Sequence, residues 1–254
     1  MYTRTSLCVL LAAVALSACG DEAQLDAHSG VNADSIVGGA SFGGLPAVGA
    51  LTYDGQFYCT GTLITPRKVL TAAHCVHSFS PISKLRFVIG ARATQPDYVL
   101  EVAKAEPHPG YRPGRLVDDV GLVTLAEEAP VPPLPVLAAL DDTFAGKPLL
   151  FVGYGLSNGV TQTGEGIKRA AWIELANVAA KSFSYSEPGH NTCNGDSGGP
   201  AFYRQQDGSF ALAGITSYGD ATCTKYGVST RADVYLDFLQ VEGVATRALD
   251  GDGA

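Results

Sequence analysis

Short apolar runs recur along the chain between turns rich in glycine, proline and aspartate, and this alternation predicts β-strands rather than helices. The predicted strands cover 47–53, 68–72, 85–89, 98–103, 121–125, 149–152, 170–175, 200–203 and 210–217. Many short strands joined by such turns are typical of all-β proteins built as barrels. A proline-rich stretch at 130–135 breaks both helix and strand. It therefore predicts a connection between two barrels.

The N-terminal segment predicts a targeting signal. Arg4 is the only charge before an apolar run at 7–16, which is far shorter than the roughly 20 helical residues that cross a bilayer. The run closes on Leu16-Ser17-Ala18-Cys19, which resembles a bacterial lipobox, in which Cys19 is acylated. The alternative is an ordinary signal cleaved near Ser17 and Ala18. We expect a signal peptide at 1–19, followed at 20–35 by an acidic linker or pro-segment that has too few apolar groups to fold alone.

The overall composition excludes several function classes. The 254 residues are 46% hydrophobic and 17% charged, with a formal net charge of −8. A typical soluble protein has about 25% charged residues, so this chain is not intrinsically disordered. Its acidity and its scattered lysines and arginines exclude electrostatic binding of nucleic acid.

Four cysteines lie outside the predicted signal: Cys59, Cys75, Cys193 and Cys223. An even number in an exported chain predicts two disulfides, and four cysteines allow three connectivities. Local pairing of Cys59 with Cys75 and of Cys193 with Cys223 is the simplest. A zinc site is not favoured, because the chain has no CxxC pair and no histidine at metal-ligand spacing.

Three short segments carry the chemistry. His74 follows an apolar strand in segment 71–75, Asp119 begins an apolar strand at 119–125, and Ser197 lies among glycines at 195–200. In this order they resemble the trypsin/chymotrypsin family of serine proteases. The resemblance begins at the Ile-Val-Gly-Gly sequence at 36–39 and covers nearly all of 36–241.

The resemblance implies a Ser-His-Asp triad. A neutral serine hydroxyl is a poor nucleophile and needs an adjacent base, so His74 is expected to take the proton of Ser197. Asp119 is expected to orient the imidazole, with Asp118 as the less favoured competitor. The amides of Gly195 and Ser197 are expected to form an oxyanion hole. Three further histidines fit no catalytic motif and are expected to be structural or exposed: His77, His108 and His190.

The resemblance also implies activation by cleavage. The ammonium group freed at Ile36 would enter the interior and pair with Asp196, since an unpaired buried charge is costly. Asp34 and Ser35 precede Ile36, where a trypsin-like activator would require arginine or lysine. We therefore expect an activating protease of another specificity, or cleavage by the protein itself.

The substrate pocket implied by the resemblance has no charge at its floor, Asn191. A cationic side chain would be desolvated there without a partner, so we predict cleavage after large uncharged residues such as tyrosine, phenylalanine or leucine. The alternative is a hydrogen bond from Asn191 and Thr192 to a polar side chain. The full predicted pocket consists of Asn191, Thr192, Ser217, Tyr218, Gly219 and Gly227.

The expected fold is all-β: two six-stranded antiparallel β-barrels, at 36–135 and 136–232, with the active site in the cleft between them. A helix at 233–241 completes a protease domain that ends near 245, and 246–254 is expected to be a disordered tail without a packing pattern. We expect an exported monomer that acts on proteins or peptides and is open to protein inhibitors. We expect no cofactor and no metal, because 78–97 lacks a recognisable calcium loop, and membrane contact only through a lipid on Cys19.

Two other functions compete with this interpretation. The first is a protease-like binding protein that has lost turnover, although all three triad residues are present. The second is a lipase or esterase, which would require a GxSxG elbow and a histidine after the serine.

Overall fold

The protein is described by a computed structural model that covers residues 36–239 and 244–250. The signal peptide, Cys19 and the predicted cleavage after Ser35 lie outside these residues. The strands in chain order are β1 (Ala40–Ser41), β2 (Val48–Tyr53), β3 (Gln56–Thr65), β4 (Lys68–Thr71), β5 (Leu85–Ile89), β6 (Tyr98–Pro107), β7 (Gly121–Leu125), β8 (Val136–Leu137), β9 (Pro148–Gly153), β10 (Arg169–Val178), β11 (Ser182–Tyr185), β12 (Pro200–Arg204), β13 (Phe210–Gly219), β14 (Gly227–Arg231) and β15 (Thr246–Arg247).

The first six-stranded barrel closes in the order β2-β3-β4-β7-β6-β5. All of its pairs are antiparallel. Its interior is filled by fully buried aliphatic and aromatic side chains such as Leu51, Leu63 and Phe87. Leu51 and Phe87 lie in short apolar runs that the sequence predicted as strands, whereas Leu63 lies in a strand that it did not predict.

The second barrel is a ring of six antiparallel strands, β12-β9-β10-β11-β14-β13, which the β12–β13 pairing closes. Its core includes the buried rings of Phe151, Phe183 and Tyr185. The short strands β8 and β15 extend β13 in parallel, and β1 pairs with β10. The predicted architecture of two six-stranded antiparallel barrels is confirmed.

Helices are short in the described part of the chain. The 3-10 helix Asp233–Tyr235 leads into α1, Leu236–Leu239, at the place where a C-terminal helix was expected. The other 3-10 helices are Ala73–Cys75, Ile82–Lys84 and Asp142–Phe144. Within 36–239 and 244–250, no helix combines the length and apolarity needed to cross a bilayer.

The region after the helix differs from the expected disordered tail. Thr246–Arg247 forms β15, which runs parallel to β8. The Gln205 side-chain amide also donates to the Ala248 carbonyl at 3.0 Å. A strand of two residues gives no periodic signal in the sequence. Thr246–Arg247 is a strand because its backbone pairs with β8.

Candidate active site

His74 is held at the end of β4 by the first barrel. It lies in the 3-10 turn Ala73–Cys75, and the Cys59–Cys75 disulfide ties that turn to β3. Its Nδ1 lies 2.8 Å from Asp119 Oδ2, and its backbone N–H donates to Asp119 Oδ1 at 2.9 Å. An Nδ1–H that faces a carboxylate leaves Nε2 as the lone-pair nitrogen, which is the form a general base requires.

Asp119 is fully buried just before β7, with 0% of its surface exposed. Besides the two contacts from His74, it accepts a hydrogen bond from the Ser217 hydroxyl. A buried carboxylate is tolerated where such donors replace its hydration. The neighbouring Asp118 faces away, because its carboxylate bonds Lys181 and the Tyr235 hydroxyl. Asp119 is therefore the acid that contacts His74.

Ser197 reaches the first barrel from a tight turn before β12. Its carbonyl oxygen accepts from the Thr60 amide at 2.9 Å and lies 3.7 Å from Cys75 Sγ. Ser197 therefore lies beside the residue that follows His74. Among the described residues no hydrogen bond joins the Ser197 hydroxyl to His74. In unliganded sites such bonds are often long and tighten only when substrate binds.

The amides of Gly195 and Ser197 are free at the same turn. Neither donates to another described residue. The Gly195 carbonyl is fixed by the Thr60 hydroxyl at 2.9 Å. Gly195 has φ +95°, and a Cβ there would lie 2.7 Å from the Phe57 ring, so this position requires glycine. Two unpaired N–H groups beside a serine hydroxyl can bind a developing oxyanion.

Asp196 lies buried beneath this turn. It is 1% exposed, and its carboxylate accepts from the Gly155 and Cys193 amides, each at 2.8 Å. Burial raises its pKa to about 6, against the opposing effects of these amides and of the positive charge of Arg169. Ile36 is also buried, at 1% exposure. Within the described residues the Asp196 carboxylate has no ion-pair partner.

A cavity of about 180 Å³ opens beside Ser197. Four predicted pocket residues line it: Thr192, Ser217, Tyr218 and Gly219. The Cys193–Cys223 disulfide joins the turn that carries Ser197 to the opposite wall of the cavity. The cavity therefore extends from the candidate nucleophile into the second barrel, where a substrate side chain would enter.

Asn191 and Gly227 are not among the lining residues of this cavity. Asn191 is 3% exposed, and its Oδ1 accepts from the following amide of Thr192 at 2.9 Å. The space over Gly227 is filled by the ring of Tyr185. Neither Asn191, which was expected at the floor, nor Gly227, which was expected on the wall, therefore borders the cavity.

Two residues that sequence reasoning missed shape this cavity. The Asp220 carboxylate accepts from the amides of its own loop, at Thr222, Thr224, Lys225 and Tyr226, and so fixes the rim. This holds the pKa of the Asp220 carboxyl far below its usual range. Tyr185 lies behind Thr192 at the inner end of the cavity. An aspartate at a loop start is a weak sequence signal, and a tyrosine in a short strand gives none.

The two disulfides join the pairs that local connectivity favoured, Cys59–Cys75 and Cys193–Cys223. His74 and the sulfurs of Cys59 and Cys75 lie within 4.8 Å of one another. Both sulfurs are bonded to each other and offer no thiolate, so this cluster is not a metal site.

Comparison with known proteins gives a consistent result. A family model described as Trypsin matches residues 36–239. The chain is 32% identical to a trypsin of Saccharopolyspora erythraea over 76% of this chain and 89% of that protein. It is 29% identical to a chymotrypsin of Phaedon cochleariae, over 72% of this chain and 71% of the relative. It is 28% identical to brachyurin of Leptuca pugilator, over 78% of this chain and 92% of that protein.

Proposed function

This chain belongs to the trypsin family and is a serine endopeptidase, and we propose that it is an exported enzyme that cuts after large uncharged residues. We assign catalysis to His74, Asp119 and Ser197. The observation that carries the assignment is the buried Asp119 carboxylate, 2.8 Å from His74 Nδ1, close to a serine with two free amides.

In the first half of the reaction, Ser197 Oγ attacks the carbonyl carbon of the peptide bond while its proton passes to His74 Nε2. The carbonyl oxygen becomes an oxyanion that accepts from the Gly195 and Ser197 amides. The C–N bond then breaks as His74 returns the proton to the leaving nitrogen. An acyl-enzyme remains on Ser197.

In the second half, His74 takes a proton from water as that water attacks the acyl carbon. The carbon–Oγ bond breaks, the acid product leaves, and the proton returns to Ser197. Asp119 stays ionised throughout, where it holds the imidazole in one tautomer and stabilises the imidazolium that forms. Ser217 contributes by donating to Asp119.

The substrate preference follows from the charge and size of the cavity. Its volume of about 180 Å³ suits a large side chain. The inner wall residue is the uncharged Thr192, and the Asp220 carboxylate at the rim already accepts from the amides of its own loop. Asp220 is the lining residue that carries a charge, and it lies at the rim. A lysine or arginine side chain whose tip reached Thr192 would therefore lose hydration at a wall without a counter-charge.

Activation is proposed to follow cleavage between Ser35 and Ile36, at the boundary where the linker 20–35 ends and the protease domain 36–245 begins. The new ammonium group would neutralise Asp196 and fix the turn that carries Gly195 and Ser197. The proposal is supported by the burial of both Asp196 and Ile36. Because Ser35 is not basic, we propose an activator that is not trypsin-like, or self-cleavage.

Export is proposed on the signal-like segment 1–19 and on the two disulfides, which persist in oxidising compartments. Acylation of Cys19 would hold the precursor at the cell envelope until cleavage at Ser35 releases the protease domain. Intact mass of envelope-extracted protein tests this part. A mature N-terminus that lacks both Cys19 and lipid would contradict the anchor.

The function is tested by profiling cleavage of a denatured protein mixture by mass spectrometry. The processed wild-type enzyme should cut mainly after tyrosine, phenylalanine and leucine, and Ser197→Ala and His74→Ala should abolish these cuts. Predominant cuts after arginine or lysine would refute the specificity. No cuts by a folded, processed enzyme would leave a binding protein instead.

A further inference from the structure

The inner end of the specificity cavity is backed by a tyrosine from another strand. Tyr185, the last residue of β11, is fully buried, and its hydroxyl lies 2.7 Å from Thr192 Oγ1. Thr192 lines the cavity, and Tyr185 does not. The phenol therefore stands directly behind the wall that a substrate side chain would meet, and it holds the threonine hydroxyl in place.

The Tyr185 ring also occupies the space over Gly227. The two residues are paired across β11 and β14. A Cβ on Gly227 would lie 2.2 Å from the Tyr185 ring and 2.6 Å from its hydroxyl oxygen. The absence of a side chain at Gly227 thus makes room for Tyr185 and not for substrate.

The position of the phenol is fixed on its other side. Its ring centroid lies 4.5 Å from that of Phe151 in the barrel core. Burial raises the pKa of Tyr185 to about 12, so the hydroxyl stays neutral at ordinary pH. The inner end of the cavity therefore offers the uncharged hydroxyl of Thr192, which the neutral phenol behind it holds in place.

We propose that Tyr185, acting through Thr192, is the positioning residue that sets the depth and polarity of the specificity cavity. Asn191 does not line the cavity, and its side-chain oxygen accepts from the Thr192 amide and not from the Thr192 hydroxyl that faces the cavity. The proposal rests on the proposed peptidase function and specifies its substrate class: uncharged side chains whose length is limited by the tyrosine ring.

The test compares variants that are expressed as the full chain and then cleaved between Ser35 and Ile36. The substrates are peptides that differ only in the residue before the cleaved bond. Tyr185→Leu shortens the wall and should raise the tryptophan-to-phenylalanine ratio of kcat/KM by about tenfold, within the range for added volume in an apolar pocket. Tyr185→Phe keeps the ring and should leave that ratio unchanged. It also frees the Thr192 hydroxyl, so the tyrosine-to-phenylalanine ratio should rise about threefold, the size of one neutral hydrogen bond.

Two control variants separate this role from general stability. Tyr203→Leu removes a ring that packs on Phe144 in the same core cluster, and it should lower the melting temperature without moving either ratio. Asn191→Ala should also leave both ratios where they are, since Asn191 neither lines the cavity nor hydrogen-bonds the Thr192 hydroxyl.

Unchanged ratios in folded Tyr185→Leu and Tyr185→Phe would overturn the proposal, as would a shift of the size ratio by Asn191→Ala. If Tyr185→Leu does not fold, the tyrosine-to-phenylalanine ratio of Tyr185→Phe decides alone. Failure of the wild-type enzyme to cut any peptide would instead refute the proposed function.

Discussion

The two barrels contribute to the candidate site in different ways. In the first barrel, His74 and Asp119 are joined by two hydrogen bonds, at 2.8 and 2.9 Å, on a carboxylate with no exposed surface. In the second barrel, Ser197 lies in a turn above Asp196, whose carboxylate is buried and accepts only from backbone amides. The proposed base and its acid are thus already joined in the fold, whereas the turn of the proposed nucleophile lies above a carboxylate that has no ion-pair partner among the described residues.

This difference assigns separate roles to the two halves of the molecule. The Asp119 carboxylate accepts from three donors, which replace the hydration that it loses on burial. A buried carboxylate whose pKa is raised to about 6 is destabilising when ionised, and a cation that appears on cleavage would relieve it. Under the proposed mechanism, the first barrel would supply a fixed catalytic frame, and the second barrel would carry the part that cleavage completes.

Asp119→Asn should have the largest effect, because it disrupts the fixed frame. The amide can donate to Nδ1 and select the wrong histidine tautomer. The kcat should fall by about 10⁴-fold, a magnitude taken from the same change elsewhere in this family and not deduced from this structure. Steady-state kinetics on a peptide substrate measure it. The matched control is Asp118→Asn, whose carboxylate bonds Lys181 and Tyr235, and equal losses in both variants would contradict the assignment.

Gly195→Ala should have the next largest effect, on the turn of the second barrel. At φ +95° and 2.7 Å from the Phe57 ring, the added methyl must displace the turn, and one oxyanion donor moves with it. The kcat should fall by about 10² to 10³-fold. Gly43→Ala is the control, since a Cβ there meets nothing within 4 Å. A loss of kcat in both variants would point to general destabilisation.

The stability of the uncleaved chain should fall as pH rises through about 6. The pKa of Asp196 is raised from 3.8 to about 6 on folding, so its contribution is fully present below the unfolded value and lost above the folded one. Two pKa units correspond to about 3 kcal/mol. Urea unfolding of the uncleaved Ser197→Ala variant, from below pH 3.8 to above pH 6, measures the loss of unfolding free energy.

Asp196→Asn in the same background is the control, because the amide cannot titrate, and the pH-dependent loss should disappear. Cleavage at Ser35 should also remove it, since the Ile36 ammonium then pairs with the ionised carboxylate. A loss that persists in both would show that another group titrates.

Ser217→Ala should have the smallest effect, because it removes one of three donors to Asp119. A hydrogen bond to a charged group is worth about 1.5–3 kcal/mol, so kcat should fall by about tenfold for every substrate. Peptides that differ at the residue before the cleaved bond provide the check. A loss confined to one substrate would place Ser217 in the pocket alone.

The sequence predicted strands well where a short apolar run is bounded by turn residues. Leu85–Ile89 and Gly121–Leu125 match the prediction residue for residue. Besides three strands of two residues each, it missed Gln56–Thr65, Ser182–Tyr185 and Gly227–Arg231. Threonine, serine and glycine obscure their period, and pairing with strands on both sides makes them regular.

Prediction of the site residues also depended on whether the signal is local in the sequence or arises only from strand pairing. The local motifs identified His74, Asp119, Ser197 and the serine turn, because these residues stand in short segments with a recognisable order. The inner wall of the cavity could not be found this way. Tyr185 faces Gly227 only through the β11–β14 register, a pairing that depends on the closed barrel and leaves no mark in either segment.

The most direct test of the account is the rate at which a fluorophosphonate labels the chain before and after cleavage between Ser35 and Ile36, with the labelled residue mapped by mass spectrometry. We expect slow labelling of the intact chain, fast labelling of Ser197 after cleavage, and no fast labelling in processed His74→Ala. No label on Ser197 in the cleaved, folded protein, or equal rates before and after cleavage, would contradict a fixed first-barrel frame that acts on a second-barrel turn completed by Ile36.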